Sequence, residues 1–243
     1  YLAQDTIQKL TTTLKKYPQY HLMQLDEKKY DKSDLPDRYL IFSMDVLGYP
    51  IGTNGKGPLF YADGAALVIT KKLFTKLRGY DTEYYMYLED MDLNWRARLL
   101  GENVYFLKDI YVYHYAGGTS ISTHAVNRTY TTTPMRRYHA QKNNLRGILK
   151  NYSIKNVLWS FPISVLLASM EGFLYLVKGN VDGFIALHKS IGWNILHIYD
   201  TLRERTEVQK LRTVDDFEVM RYMIKTVSKF QALKFHGIPK MKI

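Results

Sequence analysis

The chain contains no cysteine. That excludes disulfides, thiolate metal sites and a cysteine nucleophile, and it leaves the redox compartment open. A charged segment followed by an apolar run is missing at the start, so no signal peptide is expected there, and the first residue is Tyr rather than Met. An uninterrupted apolar span is missing too. The longest candidate, Val157 to Val177, encloses Pro162, Glu171 and several serines, which argues against a clean bilayer crossing. Acidic residues are scarce in one half only. Residues 136–243 hold 18 basic against 8 acidic side chains, whereas residues 1–135 hold 16 against 15. The excess should draw the second half toward anionic surfaces, with a merely solvated lysine-rich face as the plain alternative.

What is present suffices for a folded core, with 46% hydrophobic residues over 243 positions. Residues 3–16 show helical spacing at Ile7, Leu10 and Leu14, and the runs 20–25 and 39–44 read as strands separated by a charged loop from Asp26 to Arg38. The glycine- and proline-rich stretch Gly48 to Pro58 is a loop or hairpin. Residues 59–70 read as a buried strand, with Gly64 and Ala65 small enough for a ligand or a second backbone to approach, and 71–80 as a short helix closed by Gly79. Two aromatic strands, 103–107 and 110–115, flank a Lys-Asp turn. A basic helix follows at 136–150, then the apolar segment, an amphipathic one from Phe184 to Tyr199, and a charged helical tail.

The stretch Tyr84 to Arg98, YYMYLEDMDLNWRAR, stands apart. Glu89, Asp90 and Asp92 crowd three carboxylates into four residues, and such groups repel unless a cation, a proton or a substrate hydroxyl uses them. They precede a helix over 91–100, so the helix dipole is expected to keep Asp90 and Asp92 ionised at neutral pH unless they share a proton, with Asp92 and Arg96 paired one turn apart. Plain capping explains one acid well and three poorly. Further on, His114 precedes the loop AGGTS, where Gly118, Thr119 and Ser120 suit a phosphate or a metal-bound ligand. Arg136, Arg137, Lys142 and Arg146 offer phosphate contacts, or simply a solvated helix face.

The segment from GAALVITKKLFTKLRGYDTEYY through MYLEDMDLNWRARLLGENVYFLKDIYVYHYAGGTS resembles the C-terminal half of the catalytic domain of family 2 glycosyltransferases, rhamnosyl- and galactofuranosyl-transferase-like members above all. The landmarks are Gly-Ala, Gly-Tyr-Asp, Glu-Asp-x-Asp with a following Arg, a Gly, and a His before a Gly/Ser loop. The resemblance implies an α/β chain comprising the C-terminal half of a GT-A (Rossmann-like) domain over residues 1–150, followed by a helical region over 151–243 whose apolar and amphipathic segments are read either as membrane-associated or as a buried helical hairpin packed on the first domain. It implies inverting transfer from a nucleotide-sugar donor, with Asp90 as general base, Glu89, Asp92 and Arg96 in support, and His114 helping to hold a divalent cation, Mg²⁺ or Mn²⁺. Gly64, Ala65, Trp95, Gly118, Thr119, Ser120, Arg136 and Lys142 would contact donor or acceptor.

Family members begin with a nucleotide-binding half carrying Asp-x-Asp, and no Asp-x-Asp precedes Glu89 here. The resemblance therefore implies that this half belongs to the same enzyme upstream, and that the 243 residues alone are inactive. A glycan or lipid-linked acceptor at the cytoplasmic membrane face fits the basic, amphipathic C-terminal half. Tyrosines concentrated in the nearly neutral half weigh against a nucleic-acid binder. A metal-dependent phosphoesterase would need more ligands than His114 alone.

Overall fold

The computed structural model describes residues 1–29, 40–54, 57–114 and 131–241. It is mixed α/β, with 55% helix and 16% strand, so helices carry most of the packing. In chain order the elements are α1 (Thr6–Lys16), β1 (Leu22–Lys29), β2 (Leu40–Met44), β3 (Pro50–Asn54), β4 (Leu67–Ile69), α2 (Lys71–Lys76), a 3-10 turn (Thr82–Tyr84), α3 (Glu89–Leu99), β5 (Tyr105–His114), β6 (Thr131–Thr132), α4 (Pro134–Asn151), α5 (Ile154–Val177), α6 (Val181–Leu196), α7 (Ile198–Lys210), α8 (Asp216–Met220), α9 (Ser228–His236) and β7 (Lys240–Met241).

β1 is the centre of a three-stranded sheet, antiparallel to β4 and parallel to β5. Leu22, Met23, Gln24 and Leu25 are all buried, as expected of a strand covered on both faces. The strand runs on through Asp26 to Lys29, residues that the sequence assigns to a charged loop. The two strands expected at 103–107 and 110–115 are one strand, β5. Its register jumps from Leu25↔Leu107 to Asp26↔Tyr111, so the expected Lys108-Asp109 turn is a bulge. The strand expected over 59–70 is reduced to Leu67–Ile69. Ahead of it Ala62 takes its hydrogen bonds from the Asn94 side chain instead of a neighbouring strand.

β2 and β3 form an antiparallel hairpin around Gly48, which adopts a left-handed φ of +77°. Gly79 closes α2 as expected, also with positive φ. The main core draws Met44, Phe60 and Trp95 together with Ile148, Tyr152, Val208, Val219 and Met223, so the helices beyond residue 150 pack into the same interior as the sheet side. α5 and α6 form a hairpin. Gly172 and Gly183 permit its close approach, since a Cβ at either would meet His188 or Tyr175 at 2.8 Å.

α4 is buried along its second half, where the sequence suggests a solvated basic face. Arg146 bonds Asp81 and Asp200, with Nε 3.0 Å from Asp81 and Nη2 3.0 Å from Asp200. Lys150 joins Asp81 to Asp92, 3.0 Å from the latter. Arg96 closes the set on Asp92 at 2.9 Å. Three cations thus face three carboxylates. Burial raises the Asp81 and Asp92 carboxyls, but Lys150 with Arg146, and Lys150 with Arg96, outweigh it and hold both below the ordinary range. Removing one member of such a set leaves a desolvated charge uncompensated. Lys150→Met should therefore lower unfolding stability by about 3 kcal/mol. Urea denaturation reads this directly, and a loss below about 1 kcal/mol would mean the network does not hold α3 to α4.

Candidate active site and cation centre

The turn at Ala62 to Ala65 is pinned from two sides. From β1, buried Gln24 accepts the Asp63 N–H at 2.6 Å through Oε1 and reaches Glu27 at 3.1 Å through Nε2. From α3, Asn94 exchanges bonds with Ala62 and donates to the Asp90 carbonyl at 2.7 Å. The Gly64 N–H donates to Asp90 Oδ2 at 2.8 Å, and the Ala65 N–H to Asp63 Oδ1 at 2.9 Å. Gly64 and Ala65 are exposed, so this turn is open to an incoming molecule as well as tied to the acid.

His114, at the end of β5, lies two residues on from the register partner of Glu27 on the same face of the sheet. Its Nδ1 is 3.1 Å from Glu27 Oε2. Glu27, Asp63 and His114 each bring one ligand atom to within 4.8 Å of the others, and all three are half-buried. Two carboxylates and an imidazole are oxygen and nitrogen donors of the kind that Mg²⁺ and Mn²⁺ accept, and the spacing fits one ion. The hydrogen bond from Glu27 raises the His114 pKa, while burial raises that of Glu27 against the pull of His114. The resemblance nominates His114 for a cation, whereas Glu27 and Asp63 go unnominated, because LDEKK reads as the start of a charged loop and Asp63 as part of a strand. The available signal is an apolar run ending in carboxylates, since open sheets present ligands at the carboxyl ends of their strands.

Asp90 stands on the other side of the same turn. Burial, with the carboxylates of Asp63 and Glu89, pushes its carboxyl up to about 7, against the Gly64 and Met91 N–H groups that favour the anion. The expectation of a carboxylate held ionised by the helix dipole fails for Asp90, because desolvation outweighs a helix terminus. For Asp92 the anion does prevail, through the cations around it. Burial also raises Glu89. Tyr61 is buried beside these acids, and burial together with Asp90, Asp63 and Glu27 keeps its phenol protonated.

Other residues nominated from the sequence do different work. Asp92 points away from Asp90, into Tyr84, Lys150, Asn151 and Arg96, as a position two residues along a helix must. Arg96 lies buried between Asp92 and the Leu77 carbonyl. Trp95 is 1% exposed, packed edge-on against Phe60 and Tyr152 in the core, where no substrate reaches it. Lys142 is also buried, bonded to the Glu83 carbonyl and set over the Trp193 ring, so it does not meet a phosphate. Arg136 is partly exposed and lies over Tyr87. Gly118, Thr119 and Ser120 lie outside the described residues. Asn143, the neighbour of Lys142, donates to the carbonyls of Tyr84, Met86 and Tyr87. It thereby holds a segment in which Tyr85, Tyr87 and Leu88 all have positive φ, directly before Glu89 and Asp90.

Comparison of the chain with protein families, with curated proteins and with solved structures finds no match.

A carboxyl whose pKa is higher in the folded than in the unfolded chain costs stability as pH rises. For Asp90 the cost is absent below the ordinary aspartate value of about 4 and complete above about 7. Asp90→Asn removes it. The variant should be more stable than the parent by on the order of 1–2 kcal/mol at pH 8, discounted for partial exposure, with the gain vanishing near pH 4. Denaturation midpoints at the two pH values measure this, and a variant less stable at pH 8 would contradict the proposed environment.

Proposed function

We propose that this chain carries the catalytic and acceptor side of an inverting, nucleotide-sugar-dependent glycosyltransferase of GT-A type in family 2. The observation that supports this best is the juxtaposition across a single turn. Asp63 belongs to a three-residue cation centre, and the next residue, Gly64, holds the carboxylate of Asp90. A sugar hydroxyl is a weak nucleophile and needs its proton removed as it attacks. Asp90, half-buried beside an exposed turn and with a pKa near working pH, suits a general base.

In the proposed reaction an Asp90 carboxylate oxygen accepts the proton of the acceptor's hydroxyl while the hydroxyl oxygen bonds to the anomeric carbon. The bond from that carbon to the diphosphate oxygen breaks, and its electron pair leaves with the nucleotide. Gly64 and Asn94 fix the carboxylate and its helix so that little reorganisation accompanies proton transfer. A divalent cation held by Glu27, Asp63 and His114 would supply charge that stabilises the departing diphosphate. Exposed Gly64 and Ala65 leave room for the sugar between the two groups.

The same three ligands favour a second reading, metal-dependent phosphate ester hydrolysis, more than His114 alone would. The two readings separate in one set of assays on the intact enzyme, the form in which transfer is expected. Nucleotide-sugar binding, followed by calorimetry, should require Mn²⁺ and fall at least tenfold in both Glu27→Gln and His114→Ala. Asp90→Asn should bind the donor normally and abolish transfer. In the parent, kcat/KM should rise with pH through about 7. Turnover of a phosphomonoester with no nucleotide-sugar binding would replace the first reading by the second. A basic nucleic-acid module is disfavoured by how the cations of α4 are used, since Lys142, Arg146 and Lys150 are buried in internal contacts.

We further propose that the enzyme works peripherally at the inner face of the cell membrane on a glycan or lipid-linked acceptor. α5 is long and apolar enough to cross a bilayer, and only 28% of its most apolar window is buried. It exposes Leu158, Leu166, Phe173 and Val177, and Ile195, Leu196 and Tyr199 are exposed around the junction of α6 and α7. Basic residues flank this surface at Lys155 and Lys178. Flotation with anionic liposomes should carry the protein to the top of the gradient, and Leu158→Glu with Leu166→Glu should leave it at the bottom. Unchanged flotation of that double variant would rule out this face as the contact.

A further inference from the structure

A cavity of about 630 Å³ lies between the β2–β3 hairpin, α4, α5 and α9. It takes no part in the chemistry described above. Its volume falls within the range of about 300–1,000 Å³ typical of small-molecule sites. Most of its wall is apolar, contributed by Leu167, Met170, Leu174, Leu187, Phe230 and Leu233. One end is polar and charged: Glu171 pairs with Arg137 and, at 3.0 Å, with Lys229, and Arg136 also lines the cavity, so three cations stand against one carboxylate in its wall.

That end contains donors with nothing to bind. Gln141 is 3% exposed, and its Oε1 accepts from Lys229 Nζ at 2.7 Å and from the Tyr49 hydroxyl at 3.3 Å. An ammonium can only donate, so the amide oxygen must face it. The amide nitrogen is thereby fixed on the other side, where Nε2 is buried and has no partner among the described residues; Arg137 Nε is likewise buried and unpartnered among them, while its Nη2 pairs with Glu171. A buried donor without an acceptor costs about 1–3 kcal/mol, so such atoms mark a place where an acceptor belongs. The opposite wall continues to the surface, where Met170, Leu174, Phe230 and Leu233 are all more than a third exposed. Met170 and Leu174 belong to α5, whose exposed apolar residues are described above, and Phe230 and Leu233 to α9.

The geometry points to a binding site for an anionic amphiphile, a single apolar chain headed by a phosphate. The chain lies along Leu167, Leu174 and Leu187, and the phosphate oxygens accept from Gln141 Nε2, Arg137 and Arg136. The net positive end selects the head, since guanidinium groups pair well with phosphate. The apolar wall selects the chain. The exposed apolar mouth lets the ligand enter from a lipid surface. This inference needs neither the cation centre nor glycosyl transfer.

The test is calorimetric titration of the whole chain with dodecyl phosphate below its micellar concentration, beside inorganic phosphate and dodecyl maltoside. Saturable one-site binding is expected for dodecyl phosphate, at least tenfold tighter than for either comparator. Leu167→Trp, which fills the cavity, should weaken binding at least tenfold. Gln141→Leu, which removes the donor, should weaken it several-fold, while both variants keep the parent's circular dichroism. Met170→Trp, at the exposed mouth, provides a variant that folds even if the interior ones do not, and it should also weaken binding. Equal affinity for inorganic phosphate would reduce the site to an anion pocket and overturn the proposal. Equal affinity for the maltoside, no saturable binding, or full affinity in Met170→Trp together with Gln141→Leu would overturn it as well.

Discussion

Desolvated charge on one face of α4 sets the terms for everything around it. Asn143, Arg146 and Lys150 fall at spacings of three and four residues, so they share a stripe of the helix. That stripe reads residues 81–92 like a template. Arg146 and Lys150 fix Asp81, Lys150 and Asn151 fix Asp92, and Asn143 fixes the carbonyls between. Buried ions are costly unless each has its partner, so the arrangement admits few alternatives. α3 inherits its position from this contact. One side of the helix, Asp92 and Arg96, belongs to the network, and the other, Asp90 and Asn94, is thereby aimed at the turn that carries Asp63.

The acidic cluster is therefore two clusters with opposite electrostatics. Asp92 sits among cations and is a permanent anion that serves structure. Asp90 sits among carboxylates and backbone N–H groups and exchanges its proton near neutrality. Two residues of helix, a rotation of about 200°, separate the regimes. The basic excess of the second half divides in a similar way. In α4, Lys142, Arg146 and Lys150 are consumed internally, whereas Arg136 and Arg137 stand at the cavity's edge.

Periodicity made α1, α2, α3, α4 and the α5–α6 pair legible, and the glycine signals at Gly48 and Gly79 fell where positive φ occurs. The resemblance led to Asp90 and His114. What escaped notice depended on partners distant in sequence. Glu27 meets His114 only because β5 runs parallel to β1 and slips by three residues at the bulge. Asp63 joined it because Gln24 and Asn94 replace strand pairing with side-chain bonds. Asp92, Trp95, Arg96 and Lys142 carry functional-looking chemistry in the sequence and are buried, and burial cannot be read from residue type. The ionisation of Asp90 was misjudged for the same reason, since a helix terminus is a local feature and desolvation is not.

The positive-φ residues Tyr85, Tyr87 and Leu88 make the approach to Asp90 depend on a distant helix. Three non-glycine residues in that region are individually unfavourable by about 1 kcal/mol or more, so the segment does not take this shape by itself. The compensating bonds come from Asn143, more than fifty residues away. The surroundings that raise the Asp90 carboxyl therefore exist only while α4 is docked on this segment, and an unfolded chain carries the same carboxylates at ordinary acidity.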